Sequence, residues 1–157
     1  MRRTVEKMKN SEKRGRVINS MKLTFPSYSV NEGIARGAVA AFCAQLNPTA
    51  SELGDIKCAL SEAVTNCIVH AYRDSIGEIY ITVDLLENSI IRIKIKDKGC
   101  GIADVKTARI PLFTTDRAGE RSGMGFTVME SFTDSIRVSS KLGGGTSVCL
   151  YKRIRGR

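Results

Sequence analysis

The chain predicts an α+β fold: a mixed, mainly antiparallel sheet with helices on one face. Two runs at helical spacing follow one another between residue 31 and about residue 72. Two β-branched, alternating runs, 78–86 and 90–97, flank Glu87-Asn88-Ser89 as a hairpin. Two more, 136–139 and 147–151, close the sheet across Gly143-Gly144-Gly145. With 157 residues, 42% of them hydrophobic, there is material for one core and hardly two.

Residues 1–20 are polar, charged and without apolar periodicity, which predicts a basic, disordered leader. The folded domain is expected over 21–151, followed by a basic tail, 152–157. Lys22-Leu23-Thr24-Phe25-Pro26 alternates and ends in proline, as an edge strand does. The first helix, 31–46, carries Ile34, Ala38, Ala41, Phe42 and Leu46 at helical spacing and stops at Asn47-Pro48. The second is expected to start after Ser51 as N-cap and to run to about Tyr72, with Leu53, Ile56, Leu60, Val64, Cys67 and Ala71 on its apolar stripe. Residues 98–123 show little periodicity and read as a lid; helical spacing resumes over 124–132.

The formal charge is +9, but it sits at the ends: residues 1–20 are net +5, residues 152–157 net +4, and 21–151 net zero. A neutral domain with basic tails and no recognition-helix or RNA-binding motif predicts no specific nucleic-acid partner. No apolar run approaches the ~18 residues of a membrane span, and the first twenty lack the apolar core of a secretion signal, so the expectation is a cytoplasmic protein with no membrane association. Five cysteines without CxxC spacing exclude a disulfide framework or zinc site; they are expected to be reduced and mostly buried.

Three stretches carry chemistry. Glu62, Asn66 and His70 recur at i, i+4 and i+8 and share a helix face. A carboxylate one turn from an amide oxygen suits a base working beside a magnesium ion, while on an isolated helix the same stripe is more commonly a solvated polar edge. Odd positions of the strand 90–97 face the core, so Asp97 points inward where the strand meets Gly99-Cys100-Gly101. Buried there, its carboxylate either reads a donor such as an adenine amino group or caps its own loop. Gly123-Met124-Gly125 directly precedes a helix, whose free N–H groups and dipole favour a phosphate, with Arg121 nearby. A third dinucleotide-fingerprint glycine, a P-loop and the protein-kinase signatures are all absent from the sequence.

These residues carry a resemblance. Glu62-Ala63-Val64-Thr65-Asn66 resembles the N box, Asp97-x-Gly99-x-Gly101 the first glycine box and Gly123-x-Gly125 the second glycine box of the Bergerat (GHKL, histidine-kinase-like ATPase) α/β sandwich. Within that fold, residues 40–49, 111–115 and 120–126 are similar to the anti-sigma serine-kinase family, in order from about Met21 to Tyr151. The resemblance implies a homodimer that uses ATP and Mg2+ to phosphorylate a serine of an anti-anti-sigma factor and that sequesters sporulation sigma factor F. A sister kinase serving a stress-response sigma factor is the alternative. By position it implies Glu62 as general base, Asn66 as magnesium ligand and Asp97 as reader of adenine. Gly99, Gly101, Thr114, Thr115, Arg121, Ser122, Gly123, Met124 and Gly125 would hold nucleotide and lid, Thr146 would lie near the adenine, and Arg36 would serve the protein partners. Asn47 departs from the family's usual aspartate, Ala71 from its frequent glycine, and the leader before Met21 is extra.

Overall fold

The computed structural model describes residues 8–110 and 125–156. Its sheet has five strands: β1 (Val17–Pro26), β2 (Glu78–Leu86), β3 (Ile90–Lys96), β4 (Ser135–Lys141) and β5 (Gly145–Arg153), in the order β1-β2-β3-β5-β4. Among the described residues every pairing is antiparallel, so the sheet they form is not mixed. Connectivity is the reason. Two helices, α1 (Val30–Cys43) and α2 (Ala50–Asn66), carry the chain out and back between β1 and β2, while β2–β3 and β4–β5 are hairpins.

Strand parity places the core. Ile79, Ile81, Val83 and Leu85 of β2, Ile91, Ile93 and Ile95 of β3, and Val148 and Leu150 of β5 bury one face against Val39 of α1, Ile56, Leu60 and Val64 of α2, and Met129 of α4 (Gly125–Phe132). Each such aliphatic side chain stabilises the fold by roughly 1.5–3 kcal/mol through burial. The helices therefore cover one face only, as the alternation predicts. The short helix α3 (Val105–Ala108) falls in the stretch read as a lid, and residues 111–123 of that stretch lie outside the described residues.

Several boundaries differ from the sequence reading. The N-cap of α2 is Thr49, not Ser51: Thr49 Oγ1 accepts from Glu52 N at 3.1 Å and Glu52 Oε2 accepts from Thr49 N at 2.9 Å. That reciprocal pair needs a carboxylate three residues on, which Thr49 has. Beyond Asn66, the expected continuation to Tyr72 is a π turn, Cys67–Ala71. Over its described part, from residue 8, the leader is ordered rather than disordered. β1 begins at Val17, a 3-10 turn spans Glu12–Arg14, and Met8 is buried against Leu86, Ile90 and Tyr151. Those three side chains lie on the sheet face that the helices leave open, and covering them orders an otherwise polar segment. The basic tail is likewise shorter than expected, because β5 takes in Lys152 and Arg153.

The cysteines are free, but only Cys43 and Cys67 are buried; Cys58 and Cys100 are exposed. Apolar sequence neighbours do not place a side chain on the apolar face. Among the described residues, no helix is long and apolar enough to cross a membrane.

Candidate functional site

The site forms where α2, the end of β3, the β4–β5 hairpin and the start of α4 meet. Glu62 and Asn66 are one turn apart near the C-terminal end of α2 and share a face. That face looks at the first residue of α4: a Cβ on Gly125 would stand 3.3 Å from Asn66 Oδ1 and 3.4 Å from Glu62 Oε2. The absence of a side chain there lets carboxylate, amide and helix N-terminus share one small space. A helix N-terminus draws negative charge, and Glu62 and Asn66 add oxygen ligands of the kind magnesium prefers.

Asp97 lies one residue past β3, only 4% exposed. Its Oδ1 accepts from Gly99 N at 2.9 Å and Thr146 N at 3.2 Å, and its Oδ2 from Cys67 Sγ at 3.5 Å. Burial, and then the Asp97 carboxylate itself, push the Cys67 thiol well above its ordinary range, so it keeps its proton and remains a donor. A carboxylate has about four lone-pair sites. Three are taken, one of them by a weak thiol donor, so Asp97 both caps its loop and retains capacity for a ligand N–H. The two alternatives left open by the sequence are compatible.

Close backbone approach explains the first glycine pair. A Cβ on Gly99 would stand 2.4 Å from Ala71 O, whose carbonyl accepts from Cys100 N at 3.1 Å. Gly101 has φ +73°, and a Cβ there would stand 2.1 Å from Lys141 O. The glycine loop is thus pressed between the π turn after Asn66 and the β4–β5 hairpin. Thr146 joins the same end: its Oγ1 lies 2.8 Å from Ser140 Oγ, which accepts from Ile102 N at 2.7 Å.

Glu62, Asn66 and Gly125 therefore converge, and Asp97, Gly99, Gly101 and Thr146 converge beside them, with Cys67 joining the groups. Arg36 is not in this cluster. It lies on α1, half-exposed, with Nη1 3.2 Å from Glu32 Oε1 and 3.4 Å from Ser61 Oγ; Val30 and Ile34 are exposed on the same helix. Thr114, Thr115, Arg121, Ser122, Gly123 and Met124 lie outside the described residues.

Three contributors escape sequence reasoning. Cys67 counts as an apolar stripe residue until its thiol is seen on Asp97. Tyr72 Oη donates to Glu78 O at 2.7 Å and accepts from Lys98 N at 2.7 Å, clamping the helix end to the start of β2 and to the residue after Asp97. Ser140 could have been found, since it stands opposite Thr146 once the β4–β5 hairpin register is drawn.

An antiparallel sheet under helices, with an acid–amide pair facing a helix N-terminus and a buried aspartate at a glycine loop, defines a nucleotide-binding protein of the histidine-kinase type. Residues 26–152 match the family described as histidine kinase-like ATPase domain. An anti-sigma F factor of Caldanaerobacter subterraneus subsp. tengcongensis is 54% identical over 136 residues, covering 87% of this chain and 94% of that protein. One from a Geobacillus species is 52% identical over 137 residues, covering 87% and 93%. The RsbU and RsbW domains of a Mycobacterium tuberculosis protein share the fold at a TM-score of 0.64 and 20% identity, over 87% of this chain and 32% of that one. The chain belongs to the histidine kinase-like ATPase family and, within it, to the family of the anti-sigma F factors.

Proposed function

We propose that the protein is an ATP-dependent protein serine kinase and anti-sigma factor. It binds sporulation sigma factor F and phosphorylates a serine of the anti-anti-sigma factor, working as a cytoplasmic homodimer. The observation that carries the kinase reading is the convergence of Glu62 and Asn66 on Gly125. The anti-sigma reading is supported by relatives at 50% identity or more that bear that name.

The residues fit ATP with magnesium: a side-chain-free helix N-terminus faces two oxygen-bearing side chains, and a buried carboxylate keeps acceptor capacity at the adenine end. ATP supplies the phosphoryl group, and magnesium withdraws charge from the phosphate oxygens. Asp97 accepts from the adenine amino group while Thr146 closes the same end. Asn66 would hold the metal through its side-chain amide oxygen. The free N–H groups at the start of α4 draw the phosphates toward Glu62. Glu62 takes the serine hydroxyl proton as that oxygen bonds to the γ-phosphorus and the bond from that phosphorus to the β,γ-bridging oxygen breaks, releasing ADP, a role that asks for hydrogen-bond reach to the hydroxyl. Thr114, Thr115, Arg121, Ser122, Gly123 and Met124 complete the phosphate side in this proposal. Arg36, with the exposed apolar residues of α1, serves the protein partners.

The test is incubation of the purified protein with magnesium and radiolabelled ATP, alongside candidate anti-anti-sigma factors and their serine-to-alanine versions. Label on one candidate, lost with its serine, is the expected result. Tight ATP binding with no label on any candidate would leave a nucleotide-gated binder and remove the kinase.

A further inference from the structure

The open face of the sheet carries a second concentration of chemistry that the nucleotide site does not use. On β3, β5 and β4 the side chains pointing away from the helices include Arg92, Tyr151 and Arg137. Arg92 stands directly across from Tyr151, and Arg137 across from Cys149 in the next row. The segment ahead of β1 folds over this end. It is pinned by Met8 on Leu86, Ile90 and Tyr151, by Glu12 Oε1 at 2.6 Å from Arg153 Nη2, and by Asn88 Nδ2 donating to Glu12 O at 2.7 Å. Lys13 Nζ lies 5.2 Å from the centre of the Tyr151 ring. Between segment and sheet is a cavity of about 260 Å3 lined by Asn10, Lys13, Arg14, Arg92, Arg137 and Tyr151.

Among the described residues, four cationic side chains line this cavity and no carboxylate does. Asp84 neutralises Arg92 at 2.8 Å, and the nearby Glu12 is paired with Arg153. Among the described residues, Lys13, Arg14 and Arg137 have no carboxylate at ion-pair distance. Cations gathered at this density repel one another unless an anion joins them. Burial, and then Cys149, push the Tyr151 phenol up to about 12, so it stays a hydrogen-bond donor. The volume is below the usual range for drug-sized ligands, which suits a compact anion rather than a whole nucleotide. Arg92 on β3 and Arg137 on β4, on either side of β5, carry guanidinium forks, the donor geometry that favours phosphate oxygens.

We propose that this cavity is a binding site for a small phosphate-bearing anion, held by Lys13, Arg14 and Arg137 between the N-terminal segment and the open face of the sheet. The site is separate from the nucleotide site, which lies on the helical side of the same sheet.

Inorganic pyrophosphate titrated calorimetrically into the full chain, without magnesium or nucleotide, tests it. The expected result is a saturable component that weakens by at least about tenfold in Arg137→Ala and in Arg14→Ala, each removing one charge-assisted contact. Both side chains are exposed, so the fold survives their loss. Lys57→Ala, which removes an exposed charge from α2, should leave that component unchanged. The proposal is overturned by the absence of a saturable component, by wild-type affinity in both arginine variants, or by equal weakening in Lys57→Ala. An oligoglutamate peptide that displaces pyrophosphate at lower concentration would also overturn it, in favour of an acidic protein surface.

Discussion

Asp97 meets two demands with one carboxylate. Oδ1 closes the turn onto Gly99 and Thr146, and Oδ2, facing the Cys67 thiol, keeps room for a ligand donor. Asp97→Asn removes one acceptor oxygen and places an NH2 where a donor is expected. ATP affinity should fall by about tenfold or more, measured by calorimetry, with the circular dichroism spectrum retained. Unchanged affinity would take Asp97 out of nucleotide recognition. Gly101→Ala is expected to act on the fold instead. At φ +73°, with Lys141 O 2.1 Å from the new Cβ, loop and hairpin must separate. A loss of about 1–3 kcal/mol in chemical denaturation follows. Asp97 was legible in the sequence because period-2 alternation fixes which way a strand residue points. Its partner Cys67 was not, because a helical stripe position says nothing about which polar group waits opposite.

The helix α2 carries the proposed base and metal ligand, and its start is fixed by the Thr49–Glu52 capping box. Thr49→Ala should cost about 1 kcal/mol, a fall of roughly 2–4 °C in thermal midpoint for a chain of this size. Glu52 also accepts from Arg155 N at 2.8 Å and Gly156 N at 3.3 Å, tying the C-terminal segment to the helix. Burial raises the Glu52 pKa, but the N–H groups of Arg155, Thr49 and Gly156 outweigh it and hold the carboxyl below its ordinary value. A depressed folded-state pKa stabilises the fold above the unfolded value of about 4.3, and that stabilisation is lost as pH falls through the folded value. Thermal melts of Glu52→Gln should therefore lie below wild type at pH 7 and converge with it in acid. A gap that persists at pH 2 would mean that the ionised carboxylate is not what stabilises the helix. At this scale the hairpins and helices were legible from period and turn residues. The cap shift from Ser51 to Thr49 and the π turn at Cys67–Ala71 were not, because both depend on hydrogen-bond partners rather than on apolar spacing.

Across the whole molecule, one sheet separates two surfaces: helices and the proposed nucleotide site on one, the N-terminal segment and a cationic cavity on the other. The strand order β1-β2-β3-β5-β4 and the docking of residues 8–16 were hidden from the sequence. Long-range pairing leaves no local signal, and a single buried methionine in a charged segment does not register as periodicity. Deleting residues 1–16 should lower the thermal midpoint, since Leu86, Ile90 and Tyr151 lose their cover, and should leave ATP affinity unchanged because that site lies across the sheet. The central claim is that Glu62 performs transfer rather than binding. Single-turnover phosphorylation and ATP affinity, measured together in Glu62→Gln, test it most directly. The account predicts transfer slowed by about 10²–10⁴-fold with ATP affinity retained; transfer at the wild-type rate would contradict it.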